Sequence, residues 1–231
     1  MRKQILCDSS SLISLTDACL IDIFYSFHDK FNVDFIIPPS VVDEIVNRPL
    51  SIKMKAYQYS AYVMKKAIDD GTFLEVKAKT MEDAKYIMDV ANTIFFVKGK
   101  PIHLVDLGEA EMIALADRLN ITTLLMDERT TRLLIEAPMM IKDHLERELK
   151  VNVMINSRNL ERFKDITKDM FTIRSSELIS VAYEIGWFDK FGDEKLNVFE
   201  AALYKIKYSG CSVRFDEIEK VVDYERHNVR H

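Results

Sequence analysis

The chain has 231 residues, with 32 Lys and Arg against 37 Asp and Glu, a formal net charge of −5. That length supports a full hydrophobic core without cross-links, and 48% apolar content with only 6 Gly and 5 Pro excludes collagen-like and low-complexity chains. Three cysteines without a C-x-x-C pair argue against a disulfide framework or a cysteine zinc site and suit a reducing cytoplasm. No apolar run approaches the roughly 20 residues that span a bilayer, so no membrane partner is expected. The acidic balance excludes a uniformly basic nucleic-acid binder but leaves room for a local basic patch.

In chain order, residues 3–7 (KQILC) read as a strand and 9–27 as a helix with Leu12, Leu15, Cys19 and Ile23 at helical spacing. A strand over 34–37 is followed by Pro38-Pro39 and a short helix over 40–47, with Ser40 as its N-cap. A helix over 49–69, a strand over 73–77 and helices over 81–96 and 107–119 follow. A strand over 122–126, a helix over 131–150 broken near Pro138, and a strand over 151–155 complete this part. Strands alternating with helices predict an α/β protein: a three-layer α/β/α open parallel sheet over residues 1–156. Residues 157–231 carry no clear strand and read as a helical C-terminal extension, with helices over 176–184, 196–208 and 214–224. It is expected to pack on the α/β domain or on a second subunit.

The phosphate-binding loops G-x-x-x-x-G-K-[ST] and G-x-G-x-x-G are absent, as are a G-x-S-x-G elbow and an H-E-x-x-H zinc pair among the five histidines. Asp8-Ser9-Ser10 lacks the second Asp of an aspartyl-phosphate phosphatase. In open parallel sheets ligands bind beyond the carboxyl ends of the strands. Asp8 and Asp127 each directly follow a strand, Glu44 lies one turn into a helix, and Glu109 lies in the first turn of another. Each has a bland reading: Asp8 and Asp127 as N-caps, Glu109 as the partner of Asp106 in a capping box, Glu44 as a solvated side chain. Together, four carboxylates on one edge repel unless cations or raised pKa values relieve them. Oxygen-only donors favour Mg²⁺ or Mn²⁺, and such ions suit hydrolysis of a phosphodiester. Glu111, two residues past Glu109, is expected to turn toward solvent with an Arg partner.

Four segments in order carry a family resemblance: Ile5-Leu6-Cys7-Asp8-Ser9-Ser10, Pro38-Pro39-Ser40-Val41-Val42-Asp43-Glu44-Ile45, Gly108-Glu109-Ala110-Glu111-Met112-Ile113-Ala114-Leu115-Ala116 and Thr123-Leu124-Leu125-Met126-Asp127. They resemble the motifs of PIN-domain proteins, small metal-dependent nucleases, over about residues 3–155. The resemblance implies a Rossmann-like fold and Mg²⁺- or Mn²⁺-dependent cleavage of single-stranded RNA. Asp8, Glu44, Glu109 and Asp127 would be the catalytic, metal-holding acids, and Ser10 would bond a metal-bound water or the substrate phosphate. It also implies frequent homodimers and, for many members, a toxin role with an antitoxin partner. The chain departs from the family in carrying Glu109 where many members have Asp, and in the added length of 157–231. The rival readings are a PIN-fold binding or scaffold protein without turnover, and a structure-specific DNA nuclease.

Residues 47–66 hold Arg48, Lys53, Lys55, Lys65 and Lys66 and no acid, with Tyr57, Tyr59 and Tyr62 interleaved. Lys55, Tyr59, Tyr62 and Lys66 share a helical face, suited to tracking phosphates and stacking on bases. The alternative is a solvated helix face. Arg129, just after Asp127, is a further substrate-binding position, with Arg132 beside it.

Overall fold

The computed structural model describes residues 2–53, 55 and 58–228; Tyr57 and His231 lie outside them. β1 (Lys3–Cys7) leads into α1 (Ser9–Asp17) and α2 (Asp22–Phe31), then β2 (Val33–Ile37) and α3 (Pro39–Val42). A π-helical turn, Asp43–Asn47, separates α3 from α4 (Arg48–Ser51); α5 (Gln58–Asp69), β3 (Phe73–Glu75) and α6 (Met81–Asn92) follow. Next come β4 (Phe95–Val97), β5 (Lys100–Pro101), α7 (Leu107–Leu119), β6 (Thr123–Leu125), α8 (Arg129–Glu136), α9 (Pro138–Leu149) and β7 (Val153–Ile155). The chain closes with α10 (Ser157–Thr167), β8 (Phe171–Ile173), α11 (Ser175–Glu184), a 3-10 stretch (Trp187–Glu194), α12 (Lys195–Tyr208) and α13 (Phe215–Asn228).

The main sheet runs β3-β2-β1-β6-β8, with every neighbouring pair parallel. Its order reverses between β1 and β6, which makes that gap the switch point where α/β sheets open a ligand crevice. Both faces are covered, so the strands are apolar on both sides. Cys7, Phe35, Ile37, Phe73 and Leu125 point to the face under α1, α2, α5, α11 and α12. Leu6, Ile36, Leu124 and Met126 point to the other, against Met112, Leu115 and Ala116 of α7. The far side of α7 packs Ala110, Ile113 and Ala114 on α6 and on Phe163 of α10, with Phe95 and Val153 beside them. The three-layer α/β/α expectation holds.

Several expectations are corrected by the packing. The helix expected over 9–27 breaks at Cys19, which takes a left-handed conformation at φ 59°. α1 and α2 bend there by 111°, and among the described residues no single helix is long and apolar enough to cross a membrane. Ser40 is not a cap: α3 opens after Pro38, and Ser40 sits inside its first turn. The strand expected over 151–155 forms as β7 but pairs antiparallel with β4 in a separate sheet, β5-β4-β7. The largest correction lies beyond residue 156. The stretch read as all-helical contributes β8, an edge strand of the main sheet, and Leu178, Ile179, Phe188, Phe199 and Leu203 of its core. The sheet therefore does not end at the boundary expected between 156 and 157. A three-residue strand, FTI, is too short to show an alternation in the sequence, and its pairing partners in β6 lie 48 residues upstream (Thr123 against Phe171).

Each of those five side chains contributes roughly 1.5–3 kcal/mol of burial, which together is of the order of the whole stability of a domain. A fragment ending at residue 156 is therefore expected to lack a cooperative thermal transition by circular dichroism, whereas the full chain melts in one.

Candidate active site: an acidic cleft at the switch point

A cleft of about 460 Å³ opens over the carboxyl ends of β1 and β6. Six carboxylates line it, Asp8, Glu44, Asp106, Glu109, Glu111 and Glu128, together with Ser10, Ser40 and one cation, Arg48. Local backbone chemistry explains the positions of three of them. Asp8 is the N-cap of α1, accepting the Ser10 N–H at 3.2 Å and the Ser10 hydroxyl. Glu109 accepts the Asp106 N–H at 2.7 Å, half of the expected capping box. Glu128 is the N-cap of α8 and accepts the Thr131 N–H at 2.6 Å. Glu44 stands in the π-helical turn, a geometry often found at functional positions. Asp106 also holds His103 Nε2 at 2.6 Å.

The carboxylates strain one another electrically. Burial pushes the Asp8 carboxyl above its usual range, and the charge of Glu44 adds to this against the opposing Ser10 hydrogen bonds. Burial likewise raises Glu109 to about 7, with the charges of Glu128 and Asp8 adding and the Asp106 N–H opposing. The donor set is all oxygen, and the buried Ser40 hydroxyl at the cleft has no hydrogen-bond partner among the described residues. By donor type the residues fit a hard divalent cation. The side chains line the walls without closing on a common point: among the described residues, no group of three or more His, Cys, Asp or Glu side chains is arranged to hold an ion.

Of the four expected acids, Asp8, Glu44 and Glu109 meet in the cleft, but Asp127 does not. Asp127 is 1% exposed and accepts the Ser175 N–H and the Ser175 hydroxyl, both at 2.8 Å, on the α11 side of the sheet. Its charge, after burial, helps push the Cys211 thiol up to about 12. Strand alternation explains the difference. In the β1–β6 register Leu6 faces Leu124 and Cys7 faces Leu125. Asp127 thus shares the parity of Leu125 and Cys7, toward α11, and the acid that reaches the cleft is the next one, Glu128. Glu111 is also corrected: it is 6% exposed and lines the cleft instead of turning to solvent. The only signal for Glu128 was its adjacency to Asp127 and its place three residues before Thr131, the spacing of a cap.

The basic strip is partly retained. Lys55 lies ahead of α5 and donates to Gln58 Oε1 at 3.0 Å, so it does not share the helical face. Tyr59 and Tyr62 do, at 70% and 59% exposure. Lys66 follows them and pairs with Asp70. Glu44 lines both the acidic cleft and a second hollow that includes Tyr59; Tyr59 in turn lines a third with Tyr25, Tyr62 and Lys66. Arg129 lies elsewhere, in a hollow with His103, His144 and Glu148, and Arg132 pairs with Glu136 at 3.8 Å.

A family model described as a PIN domain matches residues 4–138, and the chain belongs to that family. PIN domains generally are nucleases and typically use divalent metals. The matched span holds all six cleft carboxylates and ends before β8 and α11. No curated protein and no solved structure matches the chain significantly.

The raised Glu109 pKa has a stability consequence. A carboxyl whose folded pKa exceeds its unfolded value costs stability as pH rises from about 4.5 to about 7, and the cost is complete above that. In excess chelator, Glu109→Gln is expected to raise the melting temperature at pH 8, by the equivalent of at most about 3 kcal/mol. At pH 4 it should change nothing. Melting curves at the two pH values check the sign, and an equal gain at both would remove the electrostatic cause.

Proposed function

We propose that the protein is a divalent-metal-dependent endonuclease of single-stranded RNA. The observation that carries this reading is the chain of neighbouring hollows that leads from the acidic cleft, through Glu44 and then Tyr59, to Tyr62 and Lys66. Asp8, Glu44, Glu109 and Glu128 would hold Mg²⁺ or Mn²⁺, with Ser10 and Ser40 at the margin. A bound divalent cation supplies an acidified water and stabilises the leaving oxygen. Arg48, the cation of the cleft rim, is placed to meet a phosphate, and its pairing with Asp43 at 2.9 Å is exposed and weak. The exposed tyrosine rings offer stacking faces that any base accepts, which suits an unpaired strand and not a duplex. The open Lys66–Asp70 pair can exchange its carboxylate for a phosphate at little cost.

Mn²⁺ or Mg²⁺ should support cleavage of a single-stranded RNA, and excess EDTA should abolish it. Asp8→Asn, Glu109→Gln and Glu128→Gln should each remove activity while leaving the fold intact by circular dichroism. Matched RNA and DNA oligonucleotides read out the substrate; preference for a DNA flap would transfer the chemistry to another nucleic acid. RNA bound but never cut would favour a binding protein.

Tyr59→Ala and Tyr62→Ala are each expected to weaken RNA binding by about 1–3 kcal/mol with little salt dependence. Lys66→Ala should instead flatten the logarithmic salt slope by roughly 0.7. Titrations at several salt concentrations separate the two effects, and unchanged affinity in all three variants would return the groove to ordinary surface.

A further inference from the structure

The carboxylate of Asp127 is buried, lies off the cleft and still sits next in sequence to a cleft acid. Its two oxygens take the Ser175 N–H and the Ser175 hydroxyl, each at 2.8 Å. Ser175 opens α11, so a negative charge meets the positive end of that helix. The backbone N–H of Asp127 donates to Ser10 Oγ at 3.2 Å, and Ser10 in turn donates to Asp8. On the same strand end, Met126 N–H donates to Ile173 O at 2.9 Å, and Asp8 N–H donates to Leu125 O at 2.9 Å. Arg174, between β8 and α11, continues the connection to α13 through Glu217 at 2.9 Å and to Ser212 O at 3.3 Å. The end of β6 is thus gripped from both sides, by β1 and Ser10 on one and by β8 and Ser175 on the other.

We propose that Asp127 is a positioning residue: its carboxylate clamps the C-terminal segment to the end of β6 and thereby sets where Glu128 and Asp8 stand in the cleft. A carboxylate is suited to this because it accepts from a backbone N–H and a hydroxyl at once, fixing both the strand end and the helix start. The clamp makes residues 171–175 part of the working unit although the family match ends at 138. It also gives the added C-terminal length a role at the site. Its effect on cleavage rests on the nuclease reading; the clamp itself does not.

The test uses the full chain as wild type, Asp127→Asn, Ser175→Ala, the double variant and Glu128→Gln. Hydrogen exchange in excess chelator reads the clamp directly, and Asp127→Asn and Ser175→Ala should both speed exchange over residues 8–11 and 126–131. Mn²⁺ titration followed by electron paramagnetic resonance should show binding retained in both and lost in Glu128→Gln. Cleavage of a single-stranded RNA should fall about 10–100-fold in kcat with KM unchanged. The double variant should be no slower than the slower single one, because both lesions break one link. Loss of Mn²⁺ binding in Asp127→Asn with a silent Ser175→Ala would overturn the proposal and make Asp127 a metal ligand. Unchanged exchange in both single variants would overturn the clamp whatever cleavage does. If the wild type neither binds Mn²⁺ nor cleaves, the nuclease reading fails, and the exchange result alone decides the clamp.

Discussion

Six carboxylates crowd one rim of the sheet, and their mutual repulsion has to be met by something in the fold. What meets it is the direction of the chain. In a parallel sheet every strand ends where the next helix begins, so free backbone N–H groups and the positive ends of helices gather at the same edge. Asp8 uses the start of α1, Glu109 the start of α7 and Glu128 the start of α8. Three of the six acids are therefore each held by their own helix start. The pairing is incomplete: burial first, and the neighbouring carboxylates after it, still hold Asp8 and Glu109 above their usual range.

The same edge depends on the helix that carries Glu109. α7 is buried on both sides, by β1 and β6 on one and by α6 and α10 on the other. A helix fixed between two cores cannot rotate, so Glu109 and Glu111 keep a constant aim at the cleft. This also explains why Glu111, about 200° around the helix from Glu109, is still not solvated: a doubly packed helix has little free face. The small antiparallel sheet of β4, β5 and β7 closes the outer core instead of extending the main sheet.

On the opposite face, the C-terminal segment is tied in by both packing and polar contacts. Phe188 and Phe199 stack against Tyr183 with centroids 6.0 and 4.5 Å apart. Arg174 sits between Glu177 and Glu217, and Ser175 caps its own connection to β6 through Asp127. Apolar packing buries this segment, and the polar pairs tie it to the end of β6, just ahead of the cleft acid Glu128.

The local readings that succeeded were those set by local chemistry. β1 and α7 appear with the residues expected of them, and the break of α8 from α9 falls at Pro138. Asp8, Glu44 and Glu109 were legible because a strand end, a proline-led helix start and a capping spacing are short-range features of sequence. Asp127 and Glu128 were not separable in that way. The runs ILC-Asp8 and LLM-Asp127 look alike, and only the register of β1 against β6 makes the first acid in phase with the cleft and the second out of phase. β8 was hidden for a related reason, since three residues show no periodicity and its partner strand is remote in the chain. The sequence alone determined which residues could be acids at a sheet edge, because helix starts and strand ends are written within a few residues. The tertiary structure decided which of them share a cleft and which one holds the C-terminal segment, because side-chain parity is set by pairing between distant strands.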